Sequence, residues 1–80
     1  MSEGINSILA ALTELQEDAA VPRNIKDRIQ KILSALQSNG ELSMNIDKAL
    51  QELDEIADDI NLQPYTRTQL WNIVSMLEKV

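Results

Sequence analysis

The side chains that carry most enzyme chemistry at neutral pH are missing from this chain, which has no cysteine and no histidine. Their absence excludes thiol nucleophiles, disulfides and the usual ligands of zinc and iron–sulfur clusters. The general base that most often works near neutral pH is excluded as well. We therefore expect a protein without enzymatic activity and without a cofactor.

Carboxylates remain, and four of them are concentrated near the end of the third predicted helix: Asp54, Glu55, Asp58 and Asp59. Their oxygens are of the type that binds Mg²⁺ or Ca²⁺, but no calcium-loop pattern with its central glycine accompanies them. Catalysis by paired carboxylates would also need two different environments and a pocket. We predict a solvated acidic face, and a carboxylate-based metal-binding protein or enzyme is the alternative function.

A second group of side chains suits binding rather than catalysis. Arg67 and Trp71 are four residues apart on a predicted helix, so the guanidinium and the indole can form a cation–π pair. Together with Tyr65 they form a candidate interaction patch. Trp71 lies beside the apolar stripe of its helix, where a tryptophan either covers the core or anchors a partner. The pattern favours a tryptophan that covers the core rather than one that anchors a partner.

The second predicted helix is basic, whereas residues 1–20 and 41–62 are acidic and the whole chain has a net charge of −6. A basic run can contact phosphate groups. Asp27 interrupts this one, and no aromatic or glycine-rich element accompanies it. We expect these side chains to pair with the acidic neighbouring helices, and weak nucleic-acid binding is a further alternative. The basic residues are Arg23, Lys26, Arg28 and Lys31.

Two charges have the wrong sign for the helix ends on which they are predicted. Asp18 falls near the C-terminus of the first helix and Arg23 near the N-terminus of the second. Asp58 or Asp59 and Arg67 repeat this arrangement later in the chain. Opposite charges can neutralise each other across a turn, so we predict charge-assisted ion pairs of Asp18 with Arg23 and of Asp58 or Asp59 with Arg67.

Four apolar stripes predict the helices that carry these residues, because each stripe repeats at spacings of three and four. Ser43 is a predicted N-cap, and Thr66 to Gln69 has the pattern of a capping box. The first helix is predicted from about Glu3 to Asp18, and the second begins between Pro22 and Asn24 and ends at Asn39-Gly40. The third is predicted from about Ser43 to the stretch between Asn61 and Pro64, and the fourth begins at Thr66. The stripes are Ile5, Ile8, Leu9, Leu12 and Leu15; Ile25, Ile29, Ile32, Leu33 and Leu36; Ile46, Ala49, Leu50, Leu53, Ile56, Ala57 and Ile60; and Leu70, Ile73, Val74, Leu77 and Val80.

The short connections between these helices predict an all-α, antiparallel, up-and-down four-helix bundle that forms a single domain over residues 1–80. The composition agrees, since 44% of the residues are hydrophobic and only 2% are aromatic. No apolar run approaches the length of a membrane span, and no signal peptide is visible. We expect a cytoplasmic protein that does not bind membranes.

The two halves of the chain resemble each other. Residues 11–17 match residues 49–55 at five of seven positions, 38 residues apart, and residues 32–36 resemble residues 73–77, 41 residues apart. A duplicated helical hairpin would produce this likeness, but amphipathic helices also converge on such patterns. Both explanations remain open, and convergence is slightly favoured.

Two stretches of the chain resemble a known family. Val21-Pro22-Arg23-Asn24-Ile25 and Pro64-Tyr65-Thr66-Arg67-Thr68-Gln69-Leu70-Trp71 are similar to the signature stretches of a small, uncharacterised archaeal protein family. Asp18, Leu53-Asp54-Glu55-Ile56 and Trp71-Asn72-Ile73-Val74 fit the same family. The resemblance covers nearly the whole chain and implies an all-helical four-helix bundle. It implies no activity, because the family has no established function.

The best hypothesis for function is therefore a small, non-enzymatic interaction or structural module. Its partner is an unknown protein or a second copy of the chain in a homo-oligomer.

Overall fold

The computed structural model describes residues 2–38 and 40–80, which form four α-helices. Each helix packs against two others in a closed ring, α1 on α2, α2 on α3, α3 on α4 and α4 on α1. The overall extents of 32 × 20 × 19 Å correspond to one helix length by two helix diameters in each direction. The predicted all-α antiparallel four-helix bundle is confirmed. The helices are α1 (Ser2–Glu17), α2 (Arg23–Gln37), α3 (Leu42–Ala57) and α4 (Pro64–Glu78).

The apolar stripes meet in one core, with the exceptions of Ile60 and of Val80, which follows the end of α4 and is 39% exposed. Ile60 is 91% exposed, although it would lie on the core face if α3 continued to it. Because α3 ends at Ala57, the helical period stops before Ile60, and Leu62 enters the core in its place with 5% exposure. In the described part of the chain, no helix combines the length and apolar character needed to cross a membrane.

Three helix ends differ from their predicted positions. Glu41, not Ser43, is the N-cap of α3, and the Ser43 hydroxyl donates a hydrogen bond to the Glu41 carboxylate at 3.4 Å. Pro64 begins α4 instead of closing α3, because proline has the backbone angle of a first helical residue and needs no hydrogen-bond partner there. Thr66 is therefore not a cap but a buried residue of α4, 2% exposed.

The end of α2 also precedes its predicted position. The helix stops at Gln37, and Ser38 is extended with φ −74° and ψ 163°. The Ser38 hydroxyl donates to the carbonyl of Ala35 at 2.9 Å, which satisfies one of the carbonyls that a helix end leaves without an intrahelical donor. Of the predicted Asn39-Gly40 stop, Asn39 lies outside the described residues.

The two helical hairpins, α1–α2 and α3–α4, share one pattern of burial at a constant offset of 41 residues. Residues 4–38 and 45–79 carry the same class of exposure at all but four pairs of positions. The 38-residue offset of the sequence match does not describe burial, since it pairs the buried Leu12 with the half-buried Leu50, whereas the 41-residue offset pairs Leu12 with the buried Leu53. The exceptions are Gly4/Asn45, Gln16/Ala57, Pro22/Gln63 and Leu33/Val74.

The turns inside the two hairpins repeat the same hydrogen bonds. The carboxylate of Asp18 accepts from the Ala20 N–H at 2.9 Å, and that of Asp59 accepts from the Asn61 N–H at 2.8 Å. Three residues after each aspartate, a side chain enters the core: Val21 after Asp18 and Leu62 after Asp59. Such a turn is the usual role of an aspartate at this place, so the likeness of the hairpins extends from the helices to the backbone between them.

Candidate interaction surface

Neither predicted ion pair forms among the described residues. The Asp18 carboxylate turns back on its own loop, and no salt bridge joins it to Arg23. Arg67 does reach the end of α3, but it binds backbone there. Its Nε donates to the carbonyl of Ala57 and its Nη2 donates to the carbonyl of Asp59, both at 2.9 Å.

Arg67 binds carbonyls rather than a carboxylate because of the charge at the end of α3. The last carbonyls of α3 have no intrahelical donors and carry partial negative charge, which a guanidinium can neutralise with two fixed hydrogen bonds. The carboxylate of Asp59 is already occupied by its own turn. Arg67 therefore ties the start of α4 to the end of α3. Its predicted cation–π contact with Trp71 stays a prediction.

The salt bridges of the described residues lie between α2 and α3, where Arg28 binds Glu52 through Nε and Glu55 through Nη2, the latter at 2.9 Å. Hydrogen bonding to Glu52 is the largest cause that raises the pKa of Arg28, so the pair holds its charge. Of the four basic side chains predicted to pair with the acidic neighbouring helices, Arg28 thus pairs with α3. The others form no salt bridge within the described residues, and they do not share one face of α2, because Lys26 and Lys31 are separated by about 140° around the helix.

The carboxylates at the end of α3 do not form one site. Glu55 pairs with Arg28, and Asp59 closes its turn. Asp54 and Asp58 are exposed. Within residues 2–38 and 40–80 no three acidic side chains are arranged to hold a metal ion. The metal-binding alternative therefore has no geometric support here.

The predicted patch of Tyr65, Arg67 and Trp71 is divided between two sides of α4. Tyr65 and Trp71 are six positions apart, which separates them by about 120° around the helix. The Tyr65 hydroxyl accepts a hydrogen bond from Gln69 at 3.1 Å, and Gln69 borders the groove next to α1. Arg67 and Trp71 lie on the side of α4 that faces α3.

Trp71 belongs instead to a surface that we call the α3–α4 seam. Trp71 is 44% exposed, more than the other residues of this surface. Beside it Val74 is half-buried. Ile46 and Leu50 of α3 lie opposite the side that binds Arg28, so they face α4, and both are half-buried against the core. The seam consists of Ile46, Leu50, Trp71 and Val74.

A row of carboxylates borders this seam. On α3 the spacing of seven and four residues places three of them on one line next to Ile46 and Leu50. All are exposed, and within the described chain none forms a salt bridge. The nearest cation along the seam, Arg67, is already bound to carbonyls. The bordering residues are Asp47, Asp54 and Asp58 of α3 and Glu78 of α4.

The equivalent surface on the other hairpin, the α1–α2 seam, has a different character. Gln30 stands where the other hairpin has Trp71, and it accepts a hydrogen bond from Gln16 across the two helices at 2.6 Å. Leu33 is buried, whereas its equivalent Val74 is half-buried. The bordering carboxylates Asp47, Asp54 and Glu78 are replaced by uncharged side chains, Asn6, Thr13 and Gln37, and only Asp58 has an acidic equivalent, Glu17.

Sequence reasoning identified Trp71 but missed the row of carboxylates around it. The signal was available, since Asp47, Asp54 and Asp58 recur at helical spacing beside a stripe of apolar residues. A count of charges per helix does not reveal this row, because it also includes Glu52 and Glu55, which lie on the same helix and face Arg28 on the other side.

Among the described residues, grooves open between neighbouring helices. One of about 440 Å³ opens between α1 and α4 at the end of the bundle that holds both termini, next to Gly4, Ser7, Met76, Lys79 and Val80. At the equivalent place in the other half, Asn45 donates to the Ser38 hydroxyl at 3.1 Å. Gly4 is the equivalent of Asn45 and has no side chain to make such a hydrogen bond, which leaves the groove open.

Known proteins match the whole of this chain. The model of the uncharacterised protein family UPF0147 matches residues 1–80. A UPF0147 protein of Methanocaldococcus jannaschii is 39% identical over 79 residues, which cover 98% of this chain and 85% of that protein. A UPF0147 protein of Archaeoglobus fulgidus is 32% identical over 78 residues, with 98% and 90% covered.

Two solved structures have the same fold. The crystal structure of a protein from UPF0147 of Thermoplasma acidophilum matches with a TM-score of 0.92 at 34% identity, and 98% of this chain and 93% of that one are covered. The crystal structure of MMP1188, a protein of unknown function, matches with a TM-score of 0.91 at 39% identity, with 99% and 91% covered. The chain therefore belongs to the small, uncharacterised archaeal protein family UPF0147.

Proposed function

We propose that this protein is a non-enzymatic interaction module that binds another protein through the α3–α4 seam. The observation that carries the proposal is the exposure of Trp71 beside half-buried Ile46, Leu50 and Val74. Tryptophan is the side chain most enriched at the energetic centres of protein interfaces, because it brings a large apolar surface with little loss of side-chain entropy.

The paired hairpin supports this role for Trp71. At the same place in the same fold, Gln30 closes the α1–α2 seam with a hydrogen bond. The bundle therefore does not need an indole there to cover its core. A side chain that the fold does not require, left exposed at the edge of an apolar seam, suits a partner better than it suits the core.

The remaining features of the chain are compatible with a cytoplasmic interaction module. It has no cysteine or histidine, and among the described residues its grooves open along helix boundaries. Its strong acidic balance disfavours nucleic acid and anionic membranes as partners.

The test is to place a photo-crosslinking amino acid, benzoylphenylalanine, at position 71 and, as the matched control, at position 30. Irradiation in extract of the native cells should produce a discrete crosslinked protein from position 71 and none from position 30. An excess of the unmodified chain should abolish this product, and an excess of Trp71→Gln should not. Equal crosslinking from the two positions, or competition by Trp71→Gln, would contradict the proposal.

A further inference from the structure

We infer that the partner surface of the α3–α4 seam is a basic amphipathic segment of another protein, with apolar side chains for Trp71 and cations for the bordering carboxylates. The inference rests on the proposed function and specifies the chemistry of its partner.

The charge around the seam is uncompensated. Asp47, Asp54, Asp58 and Glu78 are exposed, and within the described residues none has a salt bridge. On the opposite side of α3 the carboxylates are compensated, since Arg28 binds both Glu52 and Glu55. The acidic residues of α3 thus divide into a paired side toward α2 and an unpaired side along the seam.

The unpaired carboxylates also act against the stability of their own helix. Asp54 and Asp58 are one turn apart, where like charges repel. Both stand in the last turn or cap of α3, the end at which a negative charge opposes the helix dipole. The last turn of α1 also has acidic residues, but at the positions equivalent to Asp54 and Asp58 it has Thr13 and Glu17, so this particular repelling pair is absent there. Charges that the fold tolerates but does not need are expected at a binding surface.

The same charge argues against the other occupants. A second copy related by a two-fold axis would place this seam against itself and bring the Asp47, Asp54 and Asp58 rows together. Nucleic acid and anionic lipid would be repelled in the same way. A basic polypeptide gains from each of these carboxylates, and complementary charge also guides its approach.

The spacing of the row describes the segment. Asp47 and Asp58 are eleven residues apart on α3, so the row extends for about 16 Å along the helix axis. A partner helix that lies along the seam would meet it over about three turns. Its cations would recur every three to four residues beside one apolar stripe.

The test uses Trp71, the one tryptophan of the chain, as the reporter. The probe is an 18-residue synthetic helix of leucine and lysine in an amphipathic pattern, and the control probe has glutamate for every lysine. Titration with the lysine peptide should shift the Trp71 emission to shorter wavelength and saturate. The affinity should fall at least about tenfold between 50 and 300 mM salt, because the attraction is electrostatic.

Two triple variants with the same net charge distinguish the effect of the seam carboxylates from the effect of overall charge. Asp47→Asn with Asp54→Thr and Asp58→Asn should lower the affinity at least about tenfold and leave the fold intact, since Asn6 and Thr13 occupy the first two equivalent positions of the other hairpin. Glu14→Gln with Glu17→Gln and Asp27→Asn removes the same charge from other surfaces and should change the affinity less than about threefold. Circular dichroism checks that both triple variants are folded.

Each other outcome has a defined meaning. Equal losses in the two triple variants, or equal binding of the glutamate peptide, would overturn the inference. A dimer in sedimentation that Trp71→Gln dissociates would overturn it too, with a second copy as the occupant. If position 71 crosslinks a specific protein whose binding ignores salt and the seam carboxylates, the proposed function stands and this inference fails. If neither crosslink nor peptide binding occurs, both fail.

Discussion

The hairpins α1–α2 and α3–α4 place their residues in the same pattern of burial and present different surfaces. Both contain an aspartate turn, and both bury apolar residues at nearly all of the same positions, with Leu33/Val74 and Gln16/Ala57 as exceptions. One covers its outer seam with the pair Gln16–Gln30, and the other leaves Trp71 exposed next to a row of carboxylates.

This difference separates what the bundle requires from what it carries in addition. Features common to both hairpins are those that any four-helix ring needs, namely a continuous core stripe and a turn that redirects the chain. A feature of one hairpin alone is not required by the common pattern, because the other hairpin has the same pattern without it. The following predictions test this separation.

The largest effect is expected in the shared core. Leu12→Ala and Leu53→Ala occupy equivalent positions, both with 0% exposure, so each should lower the free energy of unfolding by about 2–5 kcal/mol and by similar amounts. Urea denaturation measures both. Leu50→Ala, which truncates a half-buried side chain on α3, should cost less than either. A small loss for Leu12→Ala beside a large one for Leu53→Ala would show that the two cores are not equivalent.

The next effect distinguishes the two hairpins by their helix ends. Arg67→Ala removes two hydrogen bonds to the carbonyls of Ala57 and Asp59 and should lower the free energy of unfolding by about 1–3 kcal/mol. Lys26→Ala at the equivalent position should cost about 0.5 kcal/mol or less, since no such bonds are formed there. Arg67→Lys, which retains the charge without the fork of donors, serves as the control and should fall between them. Equal costs at positions 26 and 67 would refute the assigned role of Arg67.

A smaller effect concerns the two boundaries between the hairpins. Arg28→Ala should lower stability by about 1 kcal/mol or less, and the loss should shrink at high salt, because the guanidinium and both glutamates are partly exposed. At the equivalent position Gln69 has an Oε1 atom that is buried and without a hydrogen-bond partner. Gln69→Arg should therefore raise the free energy of unfolding by about 0.5 kcal/mol or less, because the new guanidinium can pair with Glu14. A Gln69→Arg variant that is less stable than the native chain at low salt would contradict the likeness of the two boundaries.

The smallest effect is expected at the seam itself. Trp71→Gln installs the residue found at the equivalent position and should change the free energy of unfolding by about 0.5 kcal/mol or less, while partner binding is lost. Thermal melting followed by circular dichroism measures the first and crosslinking competition the second. A loss of stability comparable with that of Leu53→Ala would mean that Trp71 is a core residue after all.

Most of the core followed from periodicity, and the failures have one cause. The stripe of α3 predicts Ile60 in the core, but α3 ends at Ala57 and Leu62 takes the core position from the loop. The capping-box pattern predicts Thr66 at the start of α4, yet Pro64 begins the helix and Thr66 is buried. A stripe predicts burial only while the helix lasts, and local patterns place its ends poorly.

The candidate site was predicted less completely than the core. The charges of Arg67 and Asp59 suggested an ion pair, but at short range the carbonyls at the end of α3 compete with carboxylates for a guanidinium. Tyr65 and Trp71 are close in sequence and diverge around α4. Charge counts per helix could not show that Arg28 neutralises one side of α3 and leaves the other unpaired.

The amino-acid sequence by itself determined the number of helices, their antiparallel order and nearly all of the core, because helical periodicity and short connections depend only on positions along the chain. The tertiary structure decided which charges are paired, how the two hairpins correspond and which side of Trp71's helix faces α3. Those properties depend on which helix packs beside which, and the contacts across a helix boundary join residues that no local pattern connects.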